Sequence, residues 1–335
     1  MTAANVRWTG TVPACGDVPV SILAAPPAQT LTRRATPVAA VFASMTSVQI
    51  GAAVSVPLFA TLGVAGTTWL RLAVAAVLLL SVARPRALSR GDLPSAAALG
   101  VVMAANAVAF SSATDRIPLG VTVAVEFCGP LSVAALRART GGVRRLIWPV
   151  LALAGVLTLT RPWAIGGAGA RTTWIGLGFA AAAGLGWAAY IVLTAHVGQR
   201  SEGLAGLSVA LTVAALALAP LGLPQVRPAL HDVAIGSVPL PRSLAVHALA
   251  LCALAALLVP LAAYALEMVA LRRLDQGVFG VWMALEPAIG GLVGALLLGQ
   301  HLAVWQLPGF ALVVTAGIGA QRGVRAGSAG AAVAD

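Results

Sequence analysis

Ten apolar segments, each near the roughly 20 residues a helix needs to cross a bilayer, constrain this chain more than any other feature. They cover 37–60, 65–83, 93–113, 119–137, 145–162, 173–195, 203–222, 244–270, 276–298 and 303–321. The polar residues are too few to clothe such a surface in water. Of 335 residues, 59% are hydrophobic and 9% charged, whereas a soluble domain carries about a quarter charged residues. Lipid must be the solvent, and a backbone in lipid has to satisfy its own hydrogen bonds. The expected fold class is therefore an all-α integral membrane protein with ten transmembrane helices. Gly and Ala inside the spans let helix backbones approach closely. Trp148, Trp163, Trp174 and Trp305 fall near span ends, where an interfacial belt would put them.

An internal repeat organises the spans. Placing Pro130 on Pro287, a displacement of 157 residues, also puts Gly120 on Gly277, Arg116 on Arg273 and Ile117 on Leu274. Gln49 aligns more loosely with Trp187, and the loop 223–243, with four prolines, takes up most of the difference in spacing. Each half then holds five spans. An odd number inverts the second half relative to the first, which is the inverted-repeat plan of secondary transporters. The expected domains are a disordered cytoplasmic tail over 1–35, a five-helix repeat over 36–162, a second over 172–321 and a cytoplasmic tail over 322–335.

Orientation follows from arginine. The formal charge is +11 and every basic residue is arginine, which reads as the codon bias of a GC-rich bacterial genome. With the N-terminus inside, fifteen of the 21 basic residues fall in cytoplasmic segments and five in outer loops. That bias places both termini in the cytoplasm of a bacterial inner membrane. The excess base is scattered over short loops without aromatic interleaving, so nucleic acid is not an expected partner. Cys15, Cys128 and Cys252 lack metal-ligand spacing, and the four histidines do not cluster. No nucleophile–base pair, zinc motif or phosphate loop is visible, so an enzyme is not expected.

The remaining arginine, Arg71, lies inside the second span, roughly 9 Å from its outer end. Glu126 lies roughly 10 Å into the fourth span from the same side. Matching depths suggest a pair, direct or bridged by substrate. A structural salt bridge or a snorkelling arginine is the blander reading. The sharper one is that the two groups bind opposite ends of a zwitterion across a cavity. Glu286 lies roughly 15 Å into the ninth span, and Pro287 beside it frees the carbonyl of Met283 and bends the helix. Its plain reading is a packing kink with a hydrogen-bonded acid; its functional reading is a carboxylate that carries a proton or binds an amine. Gln49, Asn106 and Tyr264 are further substrate-binding candidates, although amides in such helices commonly serve as interhelical glue. Glu267, close to Arg272, is a weaker candidate because an interfacial ion pair explains it equally well.

Five stretches carry a resemblance: SVQIGAA at 47–53, TWLRLAV at 68–74, PLGVTVAVEFCGPLSVA at 118–134, YALEMVALRRL at 264–274 and FGVWMALEPAIGG at 279–291. Together they resemble the EamA family of the drug/metabolite transporter superfamily, and within it the bacterial threonine/homoserine exporter type. The likeness covers 37–321. It implies an exporter of small amino acids driven by the proton gradient, with no cofactor beyond that gradient, and leaves a homodimer open. The expected mechanism is alternating access, with Glu126 and Glu286 as proton-coupling groups. A permease for cationic drugs or another metabolite is the first rival, and a membrane scaffold or sensor without flux is the second.

Overall fold

A computed structural model describes residues 31–82, 91–137, 147–164, 167, 169–198, 205–235, 242–263, 266, 270, 279 and 282–331. The chain divides into two units, Met1–Thr36 and Pro37–Asp335. Of the first, only residues 31–36 are described, as opening turns of a helix that starts inside the segment expected to be a tail.

The described residues are mostly helical, joined by turns and by short irregular stretches such as 299–303. In order the helices are α1 (Leu31–Ser55), α2 (Val64–Val82), α3 (Leu93–Thr114), α4 (Leu119–Glu126), α5 (Cys128–Arg137), α6 (Ile147–Thr160), α7 (Ala170–Gly198), α8 (Ala205–Ile235), α9 (Arg242–Ala256), α10 (Glu286–Leu298) and α11 (Leu307–Ala331). Five helical stretches are long and apolar enough to cross a membrane: Pro37–Leu62, Val64–Ser81, Leu93–Thr114, Ala170–Leu193 and Gly206–Ala229. Five shorter apolar stretches are Leu119–Val133, Ile147–Thr160, Val246–Val259, Glu286–Leu298 and Val304–Ala320. Hydroxyls within the helices bond back to the carbonyl one turn earlier, as Thr68 does to Val64 at 2.7 Å and Thr212 to Ser208 at 2.7 Å. Such local bonds satisfy a polar side chain where water is absent.

Helices distant in sequence form the main contacts. α2 packs on α8, α3 on α7 and α8, α4 on α10, and α6 on α11. α1 is tied to the end of α9, where the helix widens into a π segment over Leu257–Ala262. Pro260 inside that segment lacks an amide hydrogen, so the helical ladder is interrupted. Ser47 Oγ donates to the Leu258 carbonyl at 2.8 Å and Ser44 Oγ to the Ala263 carbonyl at 3.1 Å. Serines of one helix thus serve carbonyls that the irregular backbone of another leaves exposed.

Three expectations change. The fourth span, one apolar stretch over Leu119–Val133, is interrupted at Phe127, directly after Glu126, where the regular helix pauses for one residue. Pro130 explains the break, because it has no amide to give to the Glu126 carbonyl one turn back. The ninth segment breaks at Ala284 and Leu285, directly before Glu286, and restarts with Pro287 in the first turn of α10, a position that proline favours. Both breaks meet in one apolar cluster, where Phe127 and Ala284 share a core with Phe310, Val313 and Ala316 of α11. Lastly, the loop expected over 223–243 is helical as far as Ile235, through Pro224 and Pro228. Contacts to α2 hold it: Val226 is fully buried, and Gln225 Oε1 accepts from the Gly66 amide at 2.9 Å.

Candidate functional site

The two helix breaks, α1, α2, α3, α7 and the end of α9 enclose a cavity of about 510 Å³. Arg71, Glu126, Glu286, Asn106 and Gln49 all line it. The sequence had placed these five residues on five different spans; the fold brings them to one wall. Tyr264 and Glu267 lie outside the described residues.

Each acid has an amide beside it. Gln49, 1% exposed, donates from Nε2 to Glu286 Oε1 at 3.2 Å. Asn106 of α3 is hydrogen-bonded to the Glu126 carboxyl. Glu126 is 7% exposed and Glu286 6%. Gln49 Oε1 and Asn106 Oδ1 are buried without a hydrogen-bond partner among the described residues. A buried acceptor in that state is costly, and at a cavity wall a bound donor relieves the cost. Glu286 opens α10, where the amides of Ala288 and Ile289 donate to the Leu285 carbonyl at 3.0 and 3.1 Å.

Arg71 and Glu126 form no direct ion pair, which corrects the simplest form of the depth argument. Ser55 explains the difference. Arg71 Nη1 donates to Ser55 Oγ at 3.1 Å, and that hydroxyl donates to the Gly51 carbonyl at 2.7 Å. Arg71 Nε is buried with no partner among the described residues. Among the described residues, the cavity therefore has one permanent cation, on α2, and two carboxyl groups at the helix breaks. A guanidinium has five donors, and one bond of Arg71, to Ser55, is made among the described residues.

Several lining residues escaped the sequence reading. Phe110, Phe127, Trp187 and Tyr190 supply an aromatic wall, and Thr68 and Ser111 add hydroxyls. Phe127 and Trp187 meet edge to face, with ring centroids 6.0 Å apart. Trp187 and Tyr190 are three apart on α7, a spacing that puts both on one helix face; that was the available signal. A mostly apolar wall with a few polar groups suits a small organic solute.

Glycine sets the distance between α7 and the first break. A methyl group added at Gly129 would collide with the backbone of Gly184, and one at Gly184 would come within 3.0 Å of the Glu126 carbonyl oxygen. The backbone carrying Glu126 can therefore lie against α7 only because both positions lack a side chain.

Apolar helices that bury two acids and an arginine around a shared cavity, at breaks in two of them, define a multi-pass membrane protein built for transport. The chain belongs to the EamA-like transporter family, and thus to a class of transporters rather than enzymes. The family model matches residues 174–319. Among its relatives is the threonine/homoserine exporter RhtA of Escherichia coli strain K12, 31% identical over 291 residues, which cover 86% of this chain and 92% of the relative. The protein of the same name from Salmonella typhimurium strain LT2 is 32% identical over 291 residues, with the same coverage.

Proposed function

We propose that this protein is a proton-coupled exporter of small amino acids of the threonine and homoserine kind, working by alternating access in a bacterial inner membrane. The convergence of Arg71, Glu126 and Glu286 on one cavity carries the reading. Arg71 holds the substrate carboxylate. One of the two acids meets the ammonium group, and the other loads and releases a proton. Asn106 and Gln49 orient the acids and offer their spare oxygens to the substrate.

The ten spans form two inverted halves of five, with both termini in the cytoplasm. Helix pairing supports this arrangement. Under the repeat, the second span corresponds to the seventh, the fourth to the ninth and the fifth to the tenth; in each case the two members pack on each other, as α2 with α8, α4 with α10 and α6 with α11. The contact of α3 with α7 has its counterpart in the serine bonds between α1 and the end of α9. The names of the relatives support the substrate class.

Proteoliposomes test the proposal. Glu126→Gln and Glu286→Gln should insert normally yet fail to drive threonine against its gradient when a pH gradient is imposed. Uphill threonine transport by both variants would reject the assigned roles. The aromatic wall of Phe110, Phe127 and Trp187 favours a second reading, a permease for cationic amphiphiles held by the acids alone. Undiminished transport of such a cation by Arg71→Ala, with none of threonine by the wild type, would select it.

A further inference from the structure

The C-terminal half of α8 carries a feature that transport does not use. Leu216, Ala219, Pro220, Leu223, Pro224, Arg227 and Pro228 form one stripe lining a groove of about 850 Å³. None of these residues lines the central cavity. The opposite face of the same stretch is packed on α2 through Gly222, Gln225 and Val226. Leu216 is 67% exposed, and Leu223 and Arg227 are exposed as well.

The three prolines make this stripe chemically unusual. Each lacks an amide hydrogen, so the carbonyls of Leu216, Pro220 and Pro224 lose their donors one turn ahead. A run of such carbonyls facing hydrocarbon is unfavourable unless something donates to them. The groove also has a telling length. From Leu216 to Arg227 the helix rises about 17 Å, close to half of the ~30 Å hydrocarbon core. With the apolar stretch starting at Gly206, Leu216 falls near mid-bilayer and Arg227 at headgroup height. An apolar stripe about one leaflet long, ending on an arginine, matches the length of a lipid tail beneath its phosphate.

We propose that this groove binds one glycerophospholipid of the leaflet on the side of the α8 C-terminus. Its phosphate pairs with Arg227, and one acyl chain lies along Leu216 and Leu223. A headgroup amine or hydroxyl donates to the freed carbonyls nearest the arginine. Headgroups with such donors, phosphoethanolamine and phosphoglycerol, are therefore preferred over phosphocholine, which has none. The site stands apart from the transport cavity, and its existence does not depend on which solute moves.

Native mass spectrometry of the purified, delipidated full-length protein tests this, with phosphatidylethanolamine, phosphatidylglycerol and phosphatidylcholine titrated separately. Wild type should show one site that binds the first two more tightly than the third. Arg227→Gln should weaken all three by about fivefold, the contribution of one arginine near a membrane surface. Arg227→Lys should keep most of the affinity, and Arg171→Gln, at the exposed start of α7, should change nothing. Leu216→Trp, a substitution at a lipid-facing position, tests the acyl half separately and should also lower occupancy. Equal lipid binding by Arg227→Gln and wild type, or phosphatidylcholine binding as tightly as the other two lipids, would overturn the proposal.

Discussion

Replacing Arg71 with alanine is the sharpest probe of how the cavity holds its solute. Among the described lining residues it is the one cation. Its Nη1 is committed to Ser55 at 3.1 Å, whereas Nε has no partner among the described residues. The edge formed by Nε and Nη2 is thus available for two parallel bonds to a carboxylate. Hydrogen bonds to charged groups contribute about 1.5–3 kcal/mol each. Losing two of them, partly offset by the water that enters, amounts to about 3 kcal/mol, or roughly 150-fold in the half-saturating threonine concentration. Arg71→Lys keeps the charge without the fork and should lose about tenfold. The empty protein should not suffer, because a buried cation without a carboxylate partner is a cost that alanine removes. The assay is thermal unfolding of the purified protein with and without threonine, beside flux in proteoliposomes. Threonine at a hundred times its Kd should stabilise wild type by about 2.7 kcal/mol, and Arg71→Ala at the same concentration by almost nothing. An unchanged threonine-induced shift in Arg71→Ala would refute the reasoning, whatever happens to flux.

Three further outcomes follow from the helix breaks and their supports. Pro130→Ala returns an amide to the Glu126 carbonyl and should straighten the junction between α4 and α5; thermal unfolding should show a protein at least as stable as wild type, while threonine flux falls. Gly129→Val forces a side chain onto the backbone of Gly184 and should destabilise by at least the 1–3 kcal/mol typical of overpacking, read as a lowered Tm and reduced yield of folded protein. Gln300→Ala removes the side-chain oxygen that accepts from the Leu119 amide at 3.1 Å at the start of α4; its cost should be about 1 kcal/mol in chemical unfolding, with little change in threonine affinity because Gln300 does not line the cavity.

Among the described residues, apolar helices stand where the sequence pattern puts them, because in lipid the signal is local. A stretch of apolar residues long enough to cross, bounded by arginine and glycine, has few other folds open to it. Where it erred, long-range contact outweighed a local rule. Four prolines over 223–243, Pro224 and Pro228 among them, argued for a loop. The helix continues because Val226 and Gln225 are held against α2, and because Pro224 and Pro228 fall on the stripe that faces away from it.

Matters differ at the site. Sequence singled out Arg71, Glu126, Glu286, Asn106 and Gln49 by an argument that needs no fold: polar groups at membrane depth are costly and need a reason. It also aligned Pro130 with Pro287, and each proline stands beside a break. What it lacked was partnership. Depth suggested that Arg71 and Glu126 pair, directly or through substrate; there is no direct pair, for the guanidinium donates to Ser55, and the two acids have Asn106 and Gln49 beside them. Depth along a helix is fixed by counting residues, but the direction in which a side chain points across the bundle depends on helix rotation and crossing. Those are set by packing such as that of Gly129 on Gly184, between residues far apart in the chain. The sequence by itself therefore determined which polar groups interrupt the apolar stretches and where along them they stand; tertiary structure alone decided which of them face one another, because that is settled by the contacts between helices and not within them.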